Sequence, residues 1–429
     1  VKLAVSNIFG GKETQGTRNN QVGRFMNEVR AIIEAFDEAN ARGERCALAI
    51  VVSVEGSSYR RPGARMLVCE DGASTGMISA GCLESDVIEH AKRVINTNRA
   101  KLVEYDTTST SDEIVWGLGL GCNGIVRVWV EPLVPKSTYI AALRRSIAFQ
   151  TDVAPIVVAT VFDHRSSSST PTAAPIEIGS RFIIDEEGKS TGEMPGSEPF
   201  LEIASDMRVA VSEDASGVRV YQWEGGTTKV FIEALTSPVQ LLVFGAGHDV
   251  LPIIELARGL GWQTEVVDPQ ARPASHARFA QADKVTLARP ENVSEHVGVT
   301  RRTLALLMSH NYAHDLAQLK FLLASPALYI GVMGPRNRTE RMLSELAESD
   351  SNFRFKEADR SRLYAPAGLD IGANTPAEIA LSIIAEIRTV LADRRGGMLR
   401  ERTGGIHAQI NDNELVPVVE VSDGPMATA

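Results

Sequence analysis

Leu241-Leu242-Val243-Phe244-Gly245-Ala246-Gly247-His248-Asp249-Val250 is an apolar run, a Gly-x-Gly turn and the start of an amphipathic segment, and Asp268 closes the next apolar run 23 residues after Gly245. Strand, turn and helix in that order let glycine backbone approach a pyrophosphate. They also aim the free N–H groups of a helix N-terminus at it and set an acidic side chain within reach of a ribose. The stretch predicts a Rossmann-type parallel sheet, with Gly245, Gly247, His248 and Asp268 as cofactor-binding residues. Val250 stands where a third glycine would, which leaves open a Rossmann domain kept only as a scaffold.

Downstream, strands alternate with helices, the signature of a parallel sheet with crossover helices. Strands are expected at Val239 to Phe244, Thr264 to Asp268, Thr303 to Met308, Leu328 to Met333 and Arg362 to Ala365. Helices are expected at Asp249 to Leu260, Ala313 to Leu323, Arg338 to Glu348 and Pro376 to Leu391, the last with Thr375 as N-cap and Pro376 at N1. Upstream, Phe25 to Ala41 has helical apolar spacing, and Cys46 to Val54 and Ala64 to Cys69 are strands.

The segment Gly63 to Gly76 recurs as Gly179 to Gly192, an offset of 116 with seven of 14 positions identical. Ala47 to Val54 then aligns with Ala154 to Val161, once nine extra residues in Ser166 to Pro175 are taken as a surface insertion. The alternatives are a degenerate internal duplication and two look-alike hairpins with acidic-Gly turns. Only the first copy continues into a thiol, Ser79-Ala80-Gly81-Cys82. The block Gly119 to Gly124, which holds Cys122, is echoed faintly by Gly217 to Val220, again without cysteine. The fold class is therefore α/β: a C-terminal Rossmann-type parallel sheet plus an N-terminal mixed α/β domain with a degenerate internal duplication. Expected limits are a flexible lead-in over 1–24, the N-terminal domain over 25–237 with copies at about 47–135 and 154–235, the Rossmann-type domain over 238–395 and a tail over 396–429.

The chain has 429 residues, enough for two or three cores, and 44 Lys plus Arg against 54 Asp plus Glu leave it a formal charge of -10. That balance argues against nucleic acid as the main partner. No apolar run reaches the roughly 18 residues of a membrane span, no signal-peptide pattern opens the sequence, and four cysteines without a C-x-x-C pair fit reduced thiols in a cytoplasm.

Cys82 precedes Leu83, Val87, Ala91, Val94 and Ile95, whose spacing predicts a helix starting at the cysteine. A thiol there gains thiolate character and can ligate a soft metal, whereas Cys46 and Cys69, inside apolar strands, read as buried filler. Cys122, flanked by glycines, suits either reading. His310 and His314, four apart, read as a pair at a helix start shaping the cleft more readily than as a zinc site. Gly334-Pro335-Arg336 and Gly368 to Gly372 fall beyond strand carboxyl ends, where doubly wound sheets bind ligands or simply turn.

Taken together, Gly56 to Arg65, Ser79 to Glu84, Gly121 to Gly124, Phe244 to His248, Tyr329 to Arg336 and Pro366 to Ile383 resemble the XdhC/CoxI family, accessory proteins that mature molybdenum hydroxylases such as xanthine dehydrogenase and carbon monoxide dehydrogenase. The resemblance implies binding of molybdenum cofactor (molybdopterin) as cargo, with Cys82 and Cys122 as thiols, Cys82 the metal ligand and Arg336 at the cofactor. It implies delivery to an apo molybdenum hydroxylase with no turnover of the protein's own, and it admits a cysteine desulfurase as partner and a homodimer. The Rossmann crevice also admits NAD(P) or another nucleotide. Two other readings stay open: an NAD(P)-dependent oxidoreductase in which Cys82 or His248 assists proton transfer, and an assembly scaffold that holds no cofactor.

Overall fold

In the computed structural model the described residues are 28–56, 58–79, 81–106, 124–148, 155–166, 177–185, 187–191, 200–213, 216–223, 226–235, 237–270, 272–349 and 355–401. Helix α1 (Glu28–Ala41) leads into β1 (Cys46–Gly56), β2 (Arg65–Cys69), β3 (Ser74–Gly76), α2 (Glu84–Thr97), β4 (Lys101–Asp106) and β5 (Gly124–Leu133). After α3 (Thr138–Ser146) come β6 (Ile156–Ser166), β7 (Arg181–Ile184), β8 (Ser190–Thr191), α4 (Phe200–Glu213), β9 (Gly217–Trp223) and β10 (Gly226–Leu235). These strands form two antiparallel five-stranded sheets of one design, β3-β2-β1-β5-β4 and β8-β7-β6-β10-β9.

Both sheets are covered on both faces. Along β1, Leu48, Ile50 and Val52 enter one core and Ala47, Ala49 and Val51 another, the period of two that a pleated strand imposes. The first core lies between the sheets, where it meets Val158, Phe162, Ile183 and Phe231 of the second and is closed by Phe36 of α1 and Tyr139 of α3. Helix α2 covers the outer face of the first sheet through Val87, Ala91, Val94 and Ile95. Helix α4 covers that of the second through Ile203 and Met207.

Register corrects the alignment of the two copies. The Gly63 and Gly179 amides donate to the carbonyls of Val51 and Val161, at 2.8 and 2.7 Å. Equivalent positions on β1 and β6 are thus 161 − 51 = 110 residues apart, not 107, and the insertion before Gly179 is 116 − 110 = 6 residues, not nine. The glycine that opens β10 and matches Gly124 is Gly226, whereas Gly217 opens β9, the counterpart of β4.

The third sheet is parallel throughout, in the order β13-β12-β11-β14-β15-β16. Its elements are β11 (Gln240–Phe244), α5 (Leu251–Gly259), β12 (Gln263–Asp268), α6 (Ala274–Arg278), β13 (Lys284–Leu287), β14 (Thr303–Leu307), α7 (Tyr312–Leu323), β15 (Tyr329–Val332), α8 (Arg336–Ser349), β16 (Leu363–Tyr364) and α9 (Pro376–Leu391). The order reverses between β11 and β14, as in a dinucleotide-binding fold. Strand β13 escapes the sequence pattern because Lys-Val-Thr-Leu is a four-residue edge strand that buries only Thr286. Helix α9 carries its expected cap: Thr375 Oγ1 accepts from the Glu378 amide, and Glu378 returns the bond to the Thr375 amide at 2.8 Å.

Candidate functional site

At the reversal point a cavity of about 370 Å³ opens beyond the carboxyl ends of β11, β12 and β14, lined by Gly245 to His248, Asp268, Arg272, Arg278, Ser309 and His310 among others. Four of the residues expected at a cofactor thus meet there: Gly245, Gly247, His248 and Asp268. Gly245 has φ +147, and any side chain would strike the Met308 carbonyl, so β11 and β14 approach as closely as they do only with glycine. At Gly247 a Cβ would run into the Asp249 carboxylate. The turn continues as a 3-10 segment, His248–Val250, before α5 begins.

Asp268 lies in the wall with no exposed surface, its carboxylate turned into its own loop. Oδ1 accepts from the Gln270 amide at 3.0 Å, and Oδ2 accepts from the Arg272 amide and Nε, both 3.2 Å, and from Ser275 Oγ at 2.6 Å. Burial would raise its pKa, but the bonds from Ser275, Gln270 and Arg272 prevail and hold the carboxyl below its usual range. Its geometry makes it a brace for the β12–α6 loop. Arg278 Nη1 donates to the Ala246 carbonyl at 2.7 Å and ties α6 to the glycine turn.

Two residues not among the expected cofactor-binding residues face each other across the reversal. His310 Nε2 lies 2.7 Å from Asp249 Oδ2, 61 residues away in sequence, and His310 holds a left-handed backbone at φ +54. The loop is held rigid from below: the Asp315 carboxylate accepts from Ser309 and, at 2.7 Å, from Arg338 Nη2. Asn311 caps α7 by accepting from the His314 amide at 3.1 Å. His310 therefore shapes the cleft, and no group of three or more metal-ligating side chains occurs among the described residues. The signal for the pair lay in topology, since the loops after β11 and β14 must be neighbours at a reversal.

Cys82 and Arg336 do not line this cavity. Half-buried Cys82 packs with Val54 and Ile88 against the outer core of the first sheet. Helix α2 starts at Glu84, two residues later than expected, because Ser79 and Glu84 close a side-chain box ahead of it. Ser79 Oγ accepts from the amides of Cys82 (3.1 Å) and Leu83 (3.0 Å) and donates to Glu84, whose other oxygen accepts from the Ser79 amide at 2.7 Å. Burial opposes ionisation of Glu84, yet the Ser79 bonds keep its pKa below the usual value. Cys82 is thus carried on a backbone pinned by Ser79 and Glu84. Cys122 lies outside the described residues. Cys46 and Cys69 are buried opposite each other with sulfurs 3.3 Å apart, the filler role their strands predict. Arg336 is exposed at the first position of α8, and Arg338 instead makes the inward bond. The Gly368 turn is tied to α9 through Glu386 Oε1 at 2.9 Å.

What fold and site define is a two-part α/β protein: a thiol-bearing antiparallel unit and a Rossmann sheet open at its reversal point. A family model described as the XdhC and CoxI family matches residues 39–106, and one described as the XdhC Rossmann domain matches 241–387. The chain is 30% identical to a Bacillus subtilis (strain 168) protein named as a probable subunit of xanthine dehydrogenase, over 85% of its own length and 97% of that protein. It is also 21% identical to the "Molybdenum cofactor insertion chaperone PaoD" of Escherichia coli (strain K12) over 85% of this chain and 90% of that one. A crystal structure titled a xanthine dehydrogenase from Bacillus halodurans superposes with a TM-score of 0.64 at 28% identity, covering 85% of this chain and 96% of the other. The chain belongs to the XdhC and CoxI family. No helix among the described residues is long and apolar enough to cross a membrane.

Proposed function

We propose that the protein is a maturation factor for a molybdenum hydroxylase of the xanthine or carbon monoxide dehydrogenase type, holding molybdenum cofactor as cargo and delivering it to the apo-enzyme. The observation that carries this reading is its similarity, across 90% of that relative, to a protein named for inserting molybdenum cofactor. The donor set fits the cargo. A thiolate is a soft ligand for molybdenum, and Cys82 follows β3 of the first sheet at a place where the second copy, built in the same order, continues without a cysteine. Cys122 is the second thiol of the proposal. One or two ligands hold without caging, which suits cargo that must leave.

In this reading the crevice at Gly245 and Gly247 takes the phosphate or nucleotide end of the ligand, with His248 at its rim and Asp268 shaping the wall. Arg336, exposed at the start of α8, meets the ligand or the client enzyme. The limits of the units, 25–237 and 238–395, and an intracellular setting with a cysteine desulfurase or a second copy as further partners belong to the same proposal.

Cys82→Ser, purified beside the parent, should keep its fold and lose most bound pterin and molybdenum. Undiminished pterin and molybdenum would remove Cys82 from the site. One observation favours a second reading: the His310–Asp249 pair is an acid/base arrangement at a Rossmann crevice, as an NAD(P)-dependent oxidoreductase would use. Substrate-dependent NAD(P)H formation, with no activation of a cofactor-free molybdenum hydroxylase, would decide for it.

A further inference from the structure

The β12 end of the crevice is where a dinucleotide-binding fold reads the ribose of its ligand, and an accessible carboxylate there accepts bonds from the hydroxyl pair. In this chain the carboxylate is withdrawn: Asp268 has no exposed surface and already accepts from Gln270, Arg272 and Ser275. A ribose diol arriving there does not find this carboxylate open, and the Gln270 side chain lining the same end is neutral. The diol finds guanidinium instead. Arg272 has 46% of its side chain exposed and uses Nε on Asp268, leaving both Nη groups without a partner among the described residues. Arg278 lines the same cavity and uses Nη1 on Ala246. The other ionisable side chains around the opening are His248 and the His310–Asp249 pair.

We infer that the β12 end of the crevice recognises a phosphomonoester, gripped by the free fork of Arg272 with Arg278 beside it, and discriminates against an unmodified ribose diol. Asp268 is a positioning residue in this arrangement: by holding Nε it aims the fork outward, as paired guanidinium N–H groups must be aimed to take two phosphate oxygens. The inference deepens the proposed function and rests on its assignment of the ligand's phosphate end to this crevice. Two ligands carry the chemistry, a dinucleotide with a 2′-phosphate and a pterin whose side chain ends in phosphate.

The experiment titrates the full-length protein with NADPH and NADH by fluorescence, then competes bound ligand with molybdopterin and with its dinucleotide form. NADPH should bind at least about tenfold tighter than NADH, the gain expected of one bidentate phosphate contact. Arg272→Gln should bring the two affinities to within about threefold by weakening NADPH while leaving NADH near its parental value. Displacement by molybdopterin but not by its dinucleotide form assigns the phosphate to the pterin, and failure of both to displace NADPH assigns it to the nucleotide. No preference for the phosphomonoester in either pair, including no binding at all, overturns the inference. So does a preference that survives Arg272→Gln, or an equal loss of both affinities, which would make Arg272 a loop brace only. Cargo retention by Cys82→Ser reads on the thiol and not on this ratio, so the two proposals fail separately.

Discussion

Asp268 shows how far a spacing rule carries and where it stops. Its position at the end of β12 is legible in sequence, because a strand and its distance from the glycine turn are local properties. Its orientation is not, since that depends on four donors supplied by the loop and α6. The same limit hid the His310–Asp249 pair, whose members meet only once β11 and β14 are neighbours. A consequence can be measured. The Asp268 carboxyl is held below its usual range in the fold, so its contribution is fully present above the unfolded pKa of about 3.9 and is lost as pH falls through the folded value. Asp268→Asn should therefore cost about 1–3 kcal/mol at pH 7, with the gap between variant and parent narrowing below about pH 4. Urea midpoints across that range check it; a gap constant with pH would mean the carboxylate's charge contributes nothing.

Between elements, the pairing of the two antiparallel sheets is held by reciprocal ion pairs across their shared core. Arg65 on β2 bonds Glu233 on β10, and the equivalent Arg181 on β7 bonds Glu131 on β5 at 2.5 Å. Each copy thus gives an arginine and a glutamate to the other, the self-complementary pattern of a two-fold interface built within one chain. The halves are not equally satisfied. Tyr139 of α3 accepts from Arg65 Nε at 2.9 Å and donates to Glu233 at 2.8 Å, whereas Arg181 gives Nε to Thr160 at 3.1 Å and stacks 4.2 Å from the same ring, with Nη2 buried and without a partner among the described residues. Removing Arg65 strands a buried carboxylate, so Arg65→Leu should cost about 3–5 kcal/mol, and the double variant with Glu233→Leu should recover most of it. Arg181→Leu should cost less than Arg65→Leu, because the arginine it removes is incompletely bonded. Equal costs in denaturant titration would contradict that order. The repeat itself was legible at Gly63 and Gly179, but strand phase was not. The first eight residues of β1 are buried on both faces, so its sequence lacks the polar alternation that would resist a three-residue slip.

Across the whole molecule the apolar cores respect one boundary. The clusters formed by the two antiparallel sheets end at Leu235, those of the Rossmann sheet begin at Val239, and no cluster among the described residues spans both. What crosses is polar: Arg30 to Asp283 at 3.0 Å, Gln263 Nε2 to the carbonyls of Ile147 and Ala148 at 3.1 and 3.3 Å, and Arg302 to the Ser237 carbonyl at 3.1 Å. A partly exposed ion pair and a few neutral hydrogen bonds contribute roughly 1 kcal/mol each or less, too little to force two separate cores to melt together. The chain should therefore unfold in two transitions. Arg65→Leu should lower only the one belonging to residues before Leu235. Asp268→Asn, and any ligand of the crevice, should move only the other, a ligand at a hundred times its Kd raising it by about 2.7 kcal/mol. Hydrogen exchange followed by region against urea separates the two signals: peptides from β1, β6 and β10 report the first transition and peptides from β11 and β14 the second. A single transition in which Arg65→Leu and Asp268→Asn destabilise both sets of peptides alike would mean that the polar contacts at Asp283 and Gln263 couple the units far more strongly than their chemistry predicts.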